Sequence, residues 1–149
     1  MTMPRMTPGI TRAGEGEGGV VWSILGQTYR PVAHSEACFA FDTLFPDGTF
    51  VPPHIHPDQD EFIRVLEGRF ELFLDGQTRT ADPGDLVRLP MGVPHGIFNK
   101  SGQPVRALFW VAPAQRLYAM FTRIHNVADP GEVVRIAKEH GIAFLPPPA

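Results

Sequence analysis

Residues 48–68 read GTFVPPHIHPDQDEFIRVLEG and residues 84–99 read GDLVRLPMGVPHGIFN. Between them they carry His54, His56, Glu61 and His95, three imidazoles and a carboxylate, the borderline donors that suit first-row transition metals. Alternate side chains of an extended strand share a face, so His54 and His56 point the same way, roughly 6–7 Å apart. Glu61 has the wrong parity to join them on one continuous strand. The turn-forming stretch Pro57-Asp58-Gln59-Asp60 resets the parity, so that Glu61 opens the next strand and faces back toward the pair. Pro90, Gly92 and Pro94 form a tight framework that aims His95 inward. The expected site holds one divalent ion on His54, His56, Glu61 and His95. Asp58 and Asp60, as turn acids, are expected to face water, and the isolated His34, His125 and His140 read as structural residues.

Outward from these blocks the pattern is β-rich. Short apolar or alternating runs are broken at Asp47-Gly48, Asp75-Gly76, Pro83-Gly84 and Ser101-Gly102. Gly68, Gly76, Gly84 and Gly92 recur at a regular interval, the mark of a sandwich or barrel of short strands. No helix-length periodic segment fits between the strands, which disfavours a βαβ fold. The period changes after Pro113: Leu117, Met120, Phe121 and Ile124 make one apolar helical stripe. A second helix is expected with Asp129 as N-cap, Pro130 at its first position, Val133, Ile136 and Ala137 on its inner face, and Gly141 as its stop. Residues 1–19, with Pro4, Pro8 and Gly14-Glu15-Gly16-Glu17-Gly18-Gly19, have little to bury and read as a flexible arm, and Pro146-Pro147-Pro148 ends regular structure.

The 149 residues, 43% of them apolar, suit one domain with a sizeable core. Charged residues make up 19% and the net charge is -3, so no basic field is available to hold nucleic acid or an anionic membrane surface. The single cysteine, Cys38, excludes an internal disulfide and reads as a small hydrophobe rather than a nucleophile. No apolar run of about 18 residues and no apolar leader segment occur, so the expected location is the cytoplasm.

Both blocks resemble the two motifs of the cupin superfamily. Gly48, His54, His56, Glu61 and Gly68 fill the first motif, and Gly84, Pro90, Gly92, His95 and Asn99 the second. The resemblance implies an all-β fold, the double-stranded β-helix or cupin jelly-roll barrel, over residues 20–112, with the four metal ligands on its inner wall. A short C-terminal helical segment, residues 113–149, would then pack on the barrel. Metal identity stays open among iron, manganese, nickel, copper, cobalt and zinc. Cupins often make dimer contacts through their N-terminal strands, where Trp22 and Tyr29 lie, so the resemblance suggests a homodimer.

The barrel hosts many activities and does not by itself decide among them. The short chain and the tail from Glu139 to Pro147 are similar to small bacterial cupins grouped with quercetin dioxygenase-like proteins. That implies a metal-dependent dioxygenase acting on a small apolar or aromatic substrate, with Glu61 as general base as well as ligand. Phe50, Phe62, Ile63, Phe70, Phe73, Ile97, Phe98, Phe109 and Trp110 flank or follow the site, and most of them read as core rather than pocket. A metal-dependent sugar isomerase or epimerase is the alternative and would need inward arginines, with Arg64 and Arg88 as candidates although parity turns Arg64 away. A non-catalytic small-molecule-binding cupin would show a filled interior.

Overall fold

Alternation of inward and outward side chains generates the strands of this protein, whose computed structural model describes residues 5–146. They are β1 Trp22–Ile24, β2 Gln27–His34, β3 Phe39–Phe45, β4 Phe50–Ile55, β5 Asp60–Glu67, β6 Phe70–Leu74, β7 Gln77–Ala81, β8 Leu86–Leu89, β9 His95–Phe98, β10 Val105–Ala112 and β11 Ala143–Phe144. In β3 the residues Phe39, Phe41, Thr43 and Phe45 are buried and those between are half-buried; β10 repeats the pattern with Val105, Ala107, Phe109 and Val111. That period of two is what a strand with one face on a core requires. One sheet runs β1-β2-β3-β10-β5-β8 and the other β11-β4-β9-β6-β7, and every pairing is antiparallel. The sheets face each other over an aromatic core, giving the mostly β jelly roll with short C-terminal helices that the sequence implies.

Gly68, between β5 and β6, shows why glycine stands at these turns. Its φ is +83°, and a Cβ there would lie 2.7 Å from the carbonyl oxygen of Pro104, so both conformation and space exclude a side chain.

Helix α1 spans Leu117–Ile124 and buries Leu117, Met120, Phe121 and Ile124, the stripe that the sequence displays. Helix α2 spans Pro130–Glu139. The Asp129 side chain caps it by accepting a hydrogen bond from Gly131 N at 3.0 Å, Val133, Ile136 and Ala137 are buried, and Gly141 follows with φ +84°. The helices close one side of the barrel. β11 then returns to pair with β4, setting Phe144 opposite His54.

Residues 5–16 form no strand, and the Thr11 hydroxyl donates to Val32 O at 2.8 Å. The first four residues of the expected arm, and Pro147 and Pro148 of the terminal proline run, lie outside the described residues. No helix of the described chain is long and apolar enough to cross a membrane.

Trp22 and Tyr29, on the N-terminal strands, face the interior. They are 3% and 5% exposed. Trp22 packs edge-on against Tyr118, with ring centroids 5.0 Å apart, and Tyr29 packs edge-on against Phe121 at the same separation. The reason is tertiary: α1 lies over these strands and supplies aromatic partners for them.

Candidate metal centre

Four side chains from separate stretches meet inside the barrel. His54 stands near the end of β4, His56 follows it, Glu61 is the second residue of β5 and His95 opens β9. The β4–β9 pairing places His54 and His95 opposite each other, while Glu61 reaches in from the other sheet. The turn at Pro57–Gln59 reverses the chain between His56 and Glu61, as the parity argument requires. All four are buried, between 1% and 4% exposed, and one donor atom from each lies within 4.8 Å of the others. Donors around a single ion at about 2.0–2.2 Å stand roughly 3–4 Å apart, so small side-chain adjustments suffice.

The hydrogen bonds behind the cluster decide which nitrogen each ring presents. His54 Nδ1 lies 2.8 Å from Pro52 O, which can only accept, so Nδ1 carries the proton and Nε2 turns a lone pair inward. His56 Nδ1 lies 2.8 Å from Gln59 Oε1. The Gln59 amide nitrogen donates to Pro113 O at 3.1 Å and Ala114 O at 2.8 Å, which fixes the orientation of the amide and leaves Oε1 as acceptor for His56. The two Nε2 atoms then face each other at 3.1 Å as two acceptors. Two lone pairs at that distance repel unless a cation or a proton stands between them. His95 Nε2 lies 3.0 Å from Glu61 Oε2, and His56 Nε2 lies 3.5 Å from the same oxygen. This donor set suits a divalent transition metal, and its supporting hydrogen bonds are of the kind that orient metal-bound histidines.

Electrostatics favours a neutral His54 imidazole beside an ionised Glu61 carboxylate. Burial, reinforced by His95 and His56, lowers the His54 pKa to about 3. Burial alone would raise Glu61, but its electrostatic attraction to His56 and its hydrogen bond and attraction to His95 outweigh it and bring the carboxyl to about 2. Tyr29 is held as the neutral phenol by burial and by the Glu61 charge. Its hydroxyl donates to Gln27 Oε1 at 2.6 Å.

Beside the cluster is a cavity of about 50 Å³ whose aromatic wall includes Tyr29, Phe41, Phe109, Phe121 and Phe144. Of the aromatic and aliphatic residues expected from the sequence to flank the site, only Ile97 and Phe109 line it. Phe62 and Trp110 instead stack on each other, centroids 5.2 Å apart, and Phe50 is exposed. Among the described residues no arginine or lysine lines this cavity. Arg64 is exposed and donates to Gly84 O at 2.5 Å, away from the metal cluster as parity predicts.

Gln59 is the residue that sequence reasoning passed over. It is 2% exposed, within a run whose flanking acids, Asp58 and Asp60, are exposed and half-buried. Its one local signal is an uncharged polar residue in an acidic turn. Asn99 takes a structural role, donating to Phe45 O and Gln103 O and accepting from Ser101. The remaining histidines lie outside the cluster: His140 Nδ1 is bonded to Ile136 O, His125 accepts from Ser23 N, and His34 stacks on Tyr118. Cys38 is half-buried, and burial pushes its thiol pKa up, away from the range of a nucleophile.

Fold and site together define a class: a two-sheet antiparallel barrel with three histidines and a glutamate gathered on its inner wall. Residues 41–111 match the family model described as the cupin domain. The chain belongs to the cupin superfamily. It resembles an RmlC-like cupin from Shewanella frigidimarina with a TM-score of 0.66 and 18% identity, over 76% of this chain and 97% of that one. It resembles the polyketide cyclase RemF from Streptomyces resistomycificus with a TM-score of 0.53 and 28% identity, over 58% and 64% of the two chains. In sequence it is 44% identical over 48 residues to quercetin 2,3-dioxygenase of Bacillus subtilis, a match covering 32% of this chain and 14% of that protein. The chain spans less than half the length of the first curated relatives it matches.

Proposed function

We propose that this protein is a metal-dependent dioxygenase of a small apolar or aromatic substrate. The observation that carries the reading is the buried cluster, with His54 and His56 presenting Nε2 lone pairs toward a space walled by aromatic side chains. At about 50 Å³ that space is nearly the filled interior expected of a non-catalytic binder, so a substrate reaches the cluster only if the wall moves. The similarity to quercetin 2,3-dioxygenase over 48 residues supports it. His54, His56, Glu61 and His95 would hold one divalent ion, which would supply Lewis-acid and redox chemistry.

The protein's own part follows from its geometry. Glu61 is ionised at neutral pH, its carboxyl held at about 2, so Oε2 is free to accept a hydrogen bond from a substrate hydroxyl; as a weak base it would take the proton only from a hydroxyl acidified at the site. The aromatic walls exclude water and strengthen the local electrostatics. Gln59 and the Pro52 carbonyl keep the His56 and His54 rings in one orientation throughout. Among the described residues no arginine lines the cavity beside the cluster, which weighs against an isomerase of anionic sugars, although Arg79 and Arg88 line a separate surface pocket with His95. The likeness to polyketide cyclase RemF favours a second reading, metal-assisted ring closure without oxygen.

Oxygen uptake by protein reconstituted separately with iron, manganese, nickel, copper and cobalt, on flavonols, diketones and small phenols, separates the two. Turnover is expected with at least one pair of metal and substrate, and Glu61→Gln is expected to lower it by about 100-fold or more. No uptake with any pair overturns the dioxygenase reading.

We also propose a homodimer, the assembly that the resemblance to cupins suggests. Sedimentation should then give a mass about twice the 16.4 kDa of the chain, and a monomer at all concentrations overturns this.

A further inference from the structure

The cavity beside the cluster, at about 50 Å³, falls well below the roughly 300 Å³ at which pockets for organic ligands begin. Immediately outside it lies a groove of about 640 Å³. The groove follows the seam between the two sheets: Leu25 of the β1–β2 turn stands on one side and Phe50 and Pro52 of β4 on the other, while Val127 and Val134 cover it from the helical segment. Phe144 lines both spaces. Its ring lies 5.2 Å from the imidazole of His54, its partner across the β11–β4 pairing.

We infer that this groove binds a planar apolar or aromatic molecule on its way to the cluster, and that Phe144 is the wall between the two spaces. The inference rests on the reading of the cluster as a metal centre and adds to it the class of ligand and the route. Among the described residues no charged side chain lines the groove; its polar side chains are those of Ser23, Thr49 and Asn126, a composition typical of sites for uncharged organic ligands. Phe50 is 52% exposed, Val134 40% and Leu25 37%, and these three converge on one groove rather than being scattered over the surface. Phe50 stacks on Phe98, centroids 5.7 Å apart, which holds an aromatic ring at the rim. Phe144 sits in a strand of two residues, so rotation of its ring opens the wall without dismantling a long ladder.

The test uses naphthol, a neutral fused-ring fluorophore, titrated into the full-length cobalt-loaded protein. Naphthol fluorescence reports binding, and the visible spectrum of cobalt reports arrival at the cluster. Saturable binding that alters the cobalt spectrum is expected. Val134→Arg, at an exposed helical position, should weaken binding by about tenfold or more with cobalt content unchanged. Phe144→Ala should speed removal of cobalt by a chelator by about tenfold, with the thermal transition retained as the check on folding. No saturable binding up to about 1 mM, or an affinity within about twofold of wild type in Val134→Arg, overturns the assignment. Binding that meets these expectations without oxygen uptake upholds the groove and overturns the oxygenase reading. Oxygen uptake that Val134→Arg leaves unchanged does the reverse.

Discussion

Replacing His95 with alanine is expected to cost the purified protein its stoichiometric metal, with affinity falling by more than about 100-fold, since removal of a partner that merely orients a ligand already costs about 10–100-fold. His95 is 1% exposed, and its Nε2 lies 3.0 Å from Glu61 Oε2. The substitution therefore removes a donor and also leaves a buried carboxylate without its nearest partner. Gln59→Leu makes the finer test. It leaves all four donors in place but removes the acceptor that fixes the His56 tautomer, so affinity should fall by about 10–100-fold. A merely structural role for Gln59 would lower thermal stability, because Pro113 O and Ala114 O lose their donor, yet leave the electron paramagnetic resonance of bound copper unaltered. A changed copper spectrum is expected. Elemental analysis of His95→Ala and copper spectroscopy of Gln59→Leu check these results; wild-type metal content in the first, or an unchanged spectrum in the second, refutes the corresponding role.

Acidification should unfold the metal-free protein well before most of its surface carboxylates are protonated. His54 has an ordinary pKa of 6.5 and a folded value of about 3, so between these limits the unfolded chain binds a proton that the folded chain does not. Stability therefore falls as pH drops from 6.5, by up to about 1 kcal/mol per pH unit from this residue. Glu61 acts in the same direction lower down. Its folded pKa is depressed from 4.5 to about 2, so its contribution is present above pH 4.5 and is lost as pH falls toward 2. The two losses together reach several kcal/mol against a typical domain stability of about 5–15 kcal/mol. Urea midpoints measured from pH 7 to pH 4 should decline steeply in wild type and less steeply in His54→Leu, which has no imidazole to charge. A flat wild-type profile would refute the neutral buried histidine. Bound metal should shift the decline to lower pH until protons compete it off the imidazoles.

Much of the site was legible because its rules are local. The spacing of His54 and His56, the turn through Pro57–Asp60 and the framework of Pro90, Gly92 and Pro94 each act over a few residues, and each puts its side chain where the motif implies. Arg64 faces outward for the same reason. The stripe of α1 and the Asp129 cap of α2 follow from equally short-range periodicities. What failed to show is everything that needs a distant partner. Trp22 and Tyr29 stand on early strands with no local sign of a partner until α1 covers them. Gln59 looks like one more polar turn residue until Pro113 and Ala114 arrive to take its amide hydrogens.

The sequence alone determined the β-rich class, the strand faces and the identity of the four clustered side chains, because side-chain parity and turn chemistry are fixed within a few residues of backbone. Only the tertiary structure decided which imidazole nitrogens face inward, how little space remains beside them, and that Phe144 stands between the cluster and an outer groove. Those features arise where β4 meets β9 and β11 and where α1 closes on the sheets, contacts between segments far apart in the chain, whose geometry no local pattern encodes.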